Sequence, residues 1–492
     1  MNQLQHYLET TPKAHYSLDT IAYLSNLEKV KEVSPTIAKH IQQELQDQRR
    51  NLKLIASENF TSLSVQAAMG NLLTDKYAEG FPRNRFYAGC DNVDHIEQEA
   101  ADLACELFDA DYAYVQPHSG VDANQVAFLS ILMERIQKPF FDALGKEVNI
   151  NNATPEQFAK LRDIYGKAKL MALDLYSGGH LTHGYRMNNS ALMFDVHPYS
   201  VDPVTHLLDL DQIRAQAKAV KPTILLAGYS AYSRHINFAH MREIADEVGA
   251  VFMVDMAHFA GLVAGKAFTG DHNPVPFAHV LTTTTHKTLR GPRGGMILAT
   301  EQFQPFIDKG CPSFLGGPLP HVMAAKAIAL REALTPDYRA YAHKIIENSQ
   351  AMAQAFIEKG ATLVTGGTDN HLMLLDVTQS YGLTGRQAEH VVRAAGITLN
   401  RNGLPFDSNG PWYTSGLRIG TPATTTLGMG VKEMQEIADI IHTTLAATTP
   451  GITDRGTPSK ANYDVPDSVL QQGRERAQSL LDAFPLYPTI QA

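Results

Sequence analysis

The chain has 492 residues, 44% hydrophobic and 19% charged, and this composition excludes a protein that is disordered throughout. The 42 Lys and Arg against 51 Asp and Glu give a formal net charge of −9. This balance excludes a cationic surface that would hold nucleic acid or an anionic membrane nonspecifically, so small molecules are the expected partners.

The N-terminal part of the chain is predicted to be a helical arm. Ser34 is a candidate N-cap with Pro35 at the first helical position, and Ile37, Ile41 and Leu45 recur every four residues. This spacing is typical of an amphipathic helix that packs on another element.

The next part of the chain alternates short β-branched runs with amphipathic helices, such as the one predicted over 240–248. This alternation favours an α/β fold with a mainly parallel sheet flanked by helices. The candidate strands are 112–116, 169–173, 192–196, 223–227, 250–255, 279–285 and 295–299.

An insertion interrupts this alternation at about 134–168. In it Thr154, Pro155 and Gln157 form a capping-box sequence that predicts a short extra helix. Further along, strands near 361–364 and 372–377 predict a smaller C-terminal α+β domain. The expected organisation is an N-terminal arm (1–51), a large α/β domain (52–330), the small domain (331–447) and a C-terminal extension (448–492).

Three cysteines in a chain of this length cannot build a disulfide framework, and their spacing is not that of zinc ligands. The first residues lack the basic and apolar segments of a secretory signal. The most apolar stretch, 251–268, is interrupted by Asp255, His258 and Lys266, so no membrane span is expected. We therefore expect a cytoplasmic protein.

The most informative segment is a run of four threonines followed by His286 and Lys287. The threonines favour a strand, and Lys287 follows its end, where open parallel sheets place their ligands. A lysine in that position can form a Schiff base with an aldehyde cofactor. Taken alone, however, a solvated lysine after an edge strand is the more common explanation.

Asp255 changes that balance, because it ends a buried strand and a carboxylate there is costly unless it is paired. Pyridoxal phosphate needs such a partner for its pyridine nitrogen. The alternative is that Asp255 caps a helix. With Lys287 downstream, the cofactor interpretation is favoured.

Two glycine-containing turns offer further contacts. Ser119 and Gly120 lie between a strand and an apolar helix, where backbone amides and a hydroxyl can hold a phosphate. His180 follows Gly178-Gly179 and could stack on an aromatic ring. A metal site at His180 and His183 is not expected, because no carboxylate or thiol pattern accompanies them.

With these residues in place, the chain resembles the serine hydroxymethyltransferases, pyridoxal-phosphate enzymes of fold type I. The likeness covers roughly 30–447 and rests on many ordered motifs. They are LIASEN (54–59), KYAEG (76–80), VQPHSG (115–120), HLTHG (180–184), SAYS (230–233), VDMAH (254–258), TTTTHK (282–287), GGP (316–318), GGTDNH (366–371) and TSGLRIGTPA (414–423).

The resemblance implies roles for the cofactor residues. Lys287 is expected to bind the aldehyde covalently, Asp255 to pair with the pyridine nitrogen and His180 to stack on the ring. The remaining implied contacts are Ser119, Gly120 and His286 on the phosphate side, with Ser230 and His258 near the phenolic oxygen. His286 is also counted among the catalytic residues.

The resemblance also implies a substrate site shared by two subunits of a homodimer. Arg418 is expected to bind the amino acid carboxylate. Ser57 lines the same site, and Glu79 is the expected acid/base group. Tyr77, Glu79, Tyr87 and Gly317 are expected to reach in from the second subunit, and the implied folate contacts are Leu175, Gly179, Leu181, Gly410, Pro411 and Trp412.

The implied reaction belongs to one-carbon metabolism: L-serine and tetrahydrofolate are converted reversibly to glycine and 5,10-methylenetetrahydrofolate. Three residues depart from the family pattern, namely Phe86, Val121 and Leu315, each removing a polar group near the expected site. The segment Gly410-Pro411-Trp412 replaces the family's usual Ser-Pro-Phe. These departures put folate affinity and substrate preference in question.

Two other functions remain open at this point. A threonine aldolase or amino acid racemase would use the same cofactor chemistry without folate, and either could also be a side activity. A noncatalytic scaffold would retain the fold alone. The presence of Lys287, Asp255, Glu79 and Arg418 together disfavours the scaffold.

Overall fold

The computed structural model describes residues 2–491. Most of the chain is helical, with the longest helices in the N-terminal arm and behind the two main sheets. The helices are α1 Gln3–Thr10, α2 Leu18–Val33, α3 Pro35–Arg50, α4 Leu63–Met69, α5 Asp91–Phe108, α6 Gly120–Leu132, α7 Lys138–Leu144, α8 Pro155–Tyr165, α9 Ser190–Met193, α10 Leu210–Val220, α11 Phe238–Val248, α12 Ala260–Ala264, α13 Gln304–Ile307, α14 Pro320–Ala333, α15 Pro336–Glu358, α16 Val377–Tyr381, α17 Gly385–Ala394, α18 Gly410–Tyr413, α19 Pro422–Thr426, α20 Val431–Ala446 and α21 Asp467–Ala483.

The strands form one large sheet, one smaller sheet and three two-stranded pairs. They are β1 Leu52–Lys53, β2 Gly80–Phe81, β3 Asn84–Arg85, β4 Tyr112–Tyr114, β5 Lys169–Ala172, β6 Asp195–Val196, β7 Ile224–Gly228, β8 Val251–Asp255, β9 Val280–Thr284, β10 Gly295–Ala299, β11 Thr362–Leu363, β12 Leu372–Asp376, β13 Ile397–Thr398, β14 Asn400–Asn402, β15 Gly416–Gly420, β16 Thr449–Ile452 and β17 Pro458–Asp464.

The large sheet has seven strands in the order β4-β10-β9-β8-β7-β5-β6. The pairs from β6 across to β9 are parallel, and β10 alone runs antiparallel to its two neighbours. Alternate residues of β7, β8 and β9 belong to two hydrophobic cores on opposite faces of the sheet. A sheet buried on both faces suits β-branched and aliphatic runs. The predicted α/β fold with a mainly parallel, helix-flanked sheet is therefore confirmed.

The second sheet has four strands in the order β11-β12-β15-β14, all antiparallel. Its core includes residues of α15, α17 and α20, and Ala477 and Leu481 of α21 join it. Leu52 and Leu54 also lie in this core, and β1 pairs with β13. The start of the segment assigned to the large domain thus contributes to the smaller one.

Several predicted elements are confirmed locally. The Ser34 hydroxyl accepts a hydrogen bond from the Ile37 N–H, and Pro35 begins α3. Thr154 and Gln157 form the reciprocal capping box at the start of α8. Leu45 is buried, but Ile37 is 53% exposed, so only part of the apolar stripe of α3 packs within this chain.

The strand predicted at 192–196 is wrong for its first half. The Asn188 side chain accepts hydrogen bonds from the N–H and hydroxyl of Ser190, and a short helix runs from Ser190 to Met193. Leu192 is 83% exposed, so its apolar side chain marks no core position. Only Asp195–Val196 pairs with the sheet, at its edge.

The order of the strands brings three chain positions side by side. Gly228 ends β7 and Asp255 ends β8. In the sheet Gly228 pairs with Asp255, and Asp255 pairs with Thr282 of β9, so the three residues lie side by side on neighbouring strands. Ligands of open parallel sheets bind beyond the carboxyl ends of the strands. Within residues 2–491, no helix is both long and apolar enough to cross a membrane.

Candidate active site

A cavity of 470 Å³ lies at the carboxyl end of the large sheet, at its contact with the smaller one. Its size is within the range of small-molecule sites. The predicted site residues that line it are Ser57, Ser119, Gly120, Leu175, Gly179, His180, Leu181, Ser230, Asp255, His258, His286, Lys287 and Arg418. The structure therefore brings most of the predicted site together in one chain.

The residues expected from a second subunit lie elsewhere. The Tyr87 hydroxyl donates a hydrogen bond of 3.2 Å to Glu79 Oε2, and the rings of Tyr77 and Tyr87 are 5.1 Å apart. A Cβ atom on Gly317 would contact the Tyr77 ring at 3.3 Å. These four residues form a cluster that does not line the cavity of their own chain.

The segment expected to bind folate lies beside a second cavity. Gly410 and Pro411 line that cavity of 440 Å³ together with Tyr176 and Phe406. Trp412 is 66% exposed. Leu175, Gly179 and Leu181 line the main cavity instead, so five of the six implied folate contacts are divided between two cavities of the single chain, and Trp412 lines neither of them.

Lys287 lies three residues beyond the end of β9 and is 9% exposed. The Asn59 side-chain amide donates a hydrogen bond of 2.9 Å to the Lys287 carbonyl oxygen. This bond connects the lysine backbone to the segment that contains Asn59. Burial lowers the pKa of the Lys287 ammonium to about 8, although the Asp255 charge opposes this shift. A buried amine with a lowered pKa is a better nucleophile near neutrality than a solvated lysine.

Asp255 is 7% exposed and is surrounded by hydrogen-bond donors. Its Oδ2 accepts from Asn124 Nδ2 at 2.9 Å and from His183 Nε2 at 3.1 Å, and its Oδ1 accepts from the Ala257 N–H at 3.0 Å. Burial alone would raise the pKa of Asp255, but these donors and the nearby histidines hold it well below its usual range. The carboxylate therefore stays ionised inside the protein.

The alternative that Asp255 caps a helix is wrong. Helix α12 begins at Ala260, and Phe259 occupies its N-cap position. The hydrogen bond from Ala257 closes a local turn two residues after Asp255. Asp255 Oδ2 instead accepts hydrogen bonds from Asn124 of α6 and from His183 of the loop that contains His180.

His180 and His183 differ in their roles. The His180 N–H donates to His183 Nδ1 at 3.3 Å, so the His183 proton lies on Nε2 and points at Asp255. The His180 ring lines the cavity, and burial lowers its pKa to about 4, so the ring is neutral near pH 7.

These two histidines and Asp255 lie close enough together for their ligand atoms to fall within 4.8 Å of one another. Asp255 is the nearby carboxylate that the sequence pattern did not reveal. A metal ion is nonetheless disfavoured, because His183 Nε2 carries a proton and Asp255 Oδ2 already accepts two hydrogen bonds.

An anion cradle lies where the N-terminus of α6 lines the cavity. Ser119 is the N-cap of α6, and Gly120 fits there because a Cβ atom would lie 2.6 Å from Thr284 Cγ2. The buried Nδ1 of His286 has no hydrogen-bond partner among the described residues. Arg293, which the sequence analysis did not select, also lines this side. A helix N-terminus with a nearby cation suits a phosphate.

Arg418 lies in the middle of β15 and is positioned by two neighbours. Its Nη1 donates to the Ser230 carbonyl oxygen at 2.7 Å, and its Nε donates to Asn400 Oδ1 at 3.2 Å. Among the described residues, Arg418 forms no ion pair with a carboxylate, and its two hydrogen-bond acceptors are neutral oxygens. The guanidinium therefore keeps donor capacity for a ligand carboxylate.

His258 continues into a histidine pair that the sequence analysis missed. Its Nδ1 shares a hydrogen bond of 3.1 Å with His371 Nε2, and the two rings stack. Burial lowers the pKa of His371 to about 3, and that of His258 falls well below its usual value, so both rings are neutral. The two residues are 113 positions apart, so no local sequence pattern indicates their contact.

A second missed residue is Lys326, which is 1% exposed. Its Nζ donates to the carbonyl oxygens of Val115, Pro117 and Gly295 at 2.6, 2.9 and 2.8 Å. The carbonyl oxygens of Val115 and Pro117, which follow Tyr114, thus accept hydrogen bonds from a side chain. This explains why β4 ends before the predicted residue 116. Lys326 thereby anchors the loop that leads to Ser119. Its position inside an apolar helix gave no signal of this role.

The three departures from the family pattern fall in different environments. Phe86 is 66% exposed, and Val121 is 41% exposed at the rim of the main cavity. Leu315 packs against the core on one face of the large sheet. Of the three, only Val121 lines the cavity, beside the anion cradle.

Comparison with known proteins gives a consistent result. The family model for serine hydroxymethyltransferase matches residues 30–138 and 145–441. A serine hydroxymethyltransferase of Treponema pallidum is 57% identical over 487 residues, covering 99% of this chain and 84% of that protein. One of Cutibacterium acnes is 54% identical over 95% of both chains, and one of Chlamydia trachomatis is 50% identical over 99% of this chain and 98% of that protein. The predicted resemblance is confirmed, and the chain belongs to the serine hydroxymethyltransferase family.

Proposed function

We propose that this enzyme transfers the hydroxymethyl carbon of L-serine to tetrahydrofolate, giving glycine and 5,10-methylenetetrahydrofolate, and that it uses pyridoxal phosphate. The observation that carries the proposal is the placement of Lys287, Asp255 and Arg418 around one cavity. Membership of the serine hydroxymethyltransferase family supports the same activity. The cytoplasm is the proposed compartment.

The residues of the cavity fit pyridoxal phosphate. The buried, ionised Asp255 is an acceptor for a pyridine N–H, and the unpartnered His286 Nδ1 and the N-terminus of α6 lie on the side suited to a phosphate. The neutral His180 ring is available to lie against the cofactor ring. When bound, this cofactor supplies an electron-withdrawing ring that stabilises negative charge on the amino acid Cα.

The other residues divide the remaining work. Lys287, whose pKa is lowered to about 8, is the amine that would hold the aldehyde of the cofactor. Arg418 binds the substrate carboxylate, and its bonds to Ser230 and Asn400 fix its direction. Ser57, Ser230 and His258 line the wall of the same cavity.

Glu79 is proposed as the group that moves the proton of the substrate hydroxyl. In its own chain it lies outside the cavity, bonded to the Tyr87 hydroxyl. Tyr77 and Tyr87 beside it are 58% and 46% exposed, and such apolar exposure is typical of a subunit interface. We therefore propose a homodimer in which Tyr77, Glu79, Tyr87 and Gly317 complete the partner's site.

The experiment that tests the activity measures glycine formation from L-serine with and without tetrahydrofolate. Serine hydroxymethyl transfer predicts glycine and methylenetetrahydrofolate in equal amounts, with little product when folate is absent. Cleavage of β-hydroxy amino acids at an equal rate without folate, or exchange of the serine Cα configuration alone, would instead indicate an aldolase or a racemase.

A further inference from the structure

Glu79 lies on a short segment whose backbone is held by three side chains, those of Arg85, Gln116 and Cys311. The segment leads into the hairpin of β2 and β3, and Arg85 ends that hairpin. The Arg85 side chain is only 4% exposed. Its Nη1 donates to the carbonyl oxygens of Ala78 and Gly80 at 2.9 and 3.3 Å, the residues on either side of Glu79.

Arg85 is in turn fixed by a buried carboxylate. Its Nη2 donates to Glu97 Oε2 at 2.6 Å, and the Glu97 side chain is also 4% exposed. Its Nε donates to Asp94 Oδ1 at 2.8 Å. Glu97 and Asp94 both lie on α5, a helix of 18 residues that packs on the large domain.

The other oxygen of Glu97 reaches the same segment by a second route. Gln116 Nε2 donates to Glu97 Oε1 at 2.7 Å and to the Gly80 carbonyl oxygen at 2.8 Å. The Gly80 N–H donates to Cys311 Sγ at 3.3 Å. The Glu79 carbonyl oxygen accepts from the Phe86 N–H at 3.0 Å. Every one of these backbone groups beside Glu79 is therefore bonded.

A buried network of charged side chains carries a large desolvation free energy compared with an apolar core. Removing two charges from water costs several kcal/mol each, and apolar side chains of similar volume often give equal stability. What a guanidinium bonded to two carboxylates and two backbone carbonyls adds over apolar packing is a fixed direction. The direction fixed here is that of the peptide on each side of Glu79.

We propose that Glu97 is a positioning residue. Acting through Arg85 and Gln116, it holds the Glu79 carboxylate in the position that proton transfer in the partner subunit's site requires. The proposal rests on the proposed role of Glu79 as the acid/base group. Positioning matters because a displacement of about 1 Å can lower a rate by about 100-fold. Glu97 contacts no residue of the main cavity and is not itself a catalytic residue.

The variant Glu97→Gln in the full-length enzyme tests this role. It weakens the bond to Arg85, and kcat is expected to fall about 10- to 100-fold. KM for serine is expected to change less than about threefold, because Arg418 and Ser57 keep their surroundings. The control is Glu99→Gln on the same helix, whose side chain is 53% exposed and forms a surface ion pair with Arg331; kcat should be unchanged.

A double-mutant cycle with Glu79→Gln separates positioning from general structure. If Glu97 acts through Glu79, then Glu97→Gln lowers kcat in the wild-type background and has no further effect in the Glu79→Gln background. Multiplicative losses, or an unchanged kcat for Glu97→Gln, would overturn the proposal while leaving the role of Glu79 intact. An unchanged kcat for Glu79→Gln alone would overturn that role and the inference with it.

If the Glu97→Gln protein fails to fold, Gln116→Met is the second variant. It keeps the length of the side chain and the ion pair between Arg85 and Glu97, but removes the donor to the Gly80 carbonyl oxygen and to Glu97 Oε1 and the acceptor of the Tyr114 hydroxyl. The same cycle with Glu79→Gln applies to it. A loss of kcat that vanishes in the Glu79→Gln background supports the proposal, and a loss that persists there contradicts it.

Discussion

His183 Nε2 donates a hydrogen bond of 3.1 Å to Asp255 Oδ2, and the two residues are 72 positions apart in the chain. The direction of this bond is fixed, because His183 Nδ1 accepts from the His180 N–H. Asp255 is therefore held by donors from two other segments of the chain. Together with the Ala257 N–H, these hydrogen bonds favour the ionised form of the carboxylate.

The first prediction concerns this charge. Asp255→Asn keeps the size of the side chain and removes the ionised acceptor proposed for the pyridine nitrogen. The rate of glycine formation is expected to fall at least about 100-fold, the scale of losing one charge-stabilising group. Asp246→Asn on α11, which removes a surface ion pair with Arg242, is the control and should retain the rate. Equal rates for the two variants would contradict the role of Asp255.

The second prediction concerns the pH dependence of cofactor capture by the apoenzyme. The pKa of Lys287 is lowered to about 8, so its neutral amine increases as pH rises and is dominant above pH 8. The rate at which apoenzyme gains the visible absorption of bound pyridoxal phosphate should rise up to about pH 8 and then level, as measured by stopped flow. A rate that keeps rising to pH 10 would indicate an ordinary solvated lysine.

The third prediction concerns the substrate carboxylate. Arg418→Lys keeps a positive charge but loses the forked pair of donors, so KM for serine should rise at least about tenfold. Arg401→Lys on the adjacent strand β14, where the arginine pairs with Glu389, is the matched control. Steady-state kinetics should show a change within about twofold for the control. Similar values of KM for both variants would remove Arg418 from the substrate site.

The fourth prediction concerns the shared site. Lys287→Ala and Glu79→Gln subunits are each expected to form inactive dimers, because each lacks one half of both sites. Dissociated and reassembled in equal amounts, half of the dimers are mixed, and each mixed dimer has one site with both residues intact. Activity should therefore recover to about a quarter of the wild-type value. No recovery from confirmed mixed dimers would show that Glu79 serves its own chain.

The parts of the site that sequence could predict are those fixed by local order. Lys287 and Asp255 each follow a buried run of strand-forming residues, so their placement at the carboxyl edge followed from the strands alone. Ser119 and Gly120 were recognisable as a strand-to-helix turn for the same reason. The family likeness then supplied roles that local order does not encode, such as that of Glu79.

The missed parts depend on contacts between distant segments. Asn124 reaches Asp255 over 131 positions and His371 reaches His258 over 113, and neither residue has a local pattern that marks it. Lys326 lies in a helix of mostly small apolar residues, and no local pattern marks its buried amine as an anchor. Leu192 is a different case, because its apolar side chain favoured a strand that does not form. The Asn188 side chain accepts a hydrogen bond from the Ser190 N–H at the start of a short helix, and Leu192 in that helix is exposed.

The most direct test of the central claim compares Lys287→Ala with the wild-type enzyme in the presence of saturating pyridoxal phosphate, L-serine and tetrahydrofolate. Lys309→Ala, a surface lysine beyond β10, is the control. Glycine formation is expected to fall at least about 1,000-fold for Lys287→Ala and to stay unchanged for the control. Turnover of serine by Lys287→Ala at the wild-type rate would contradict the account.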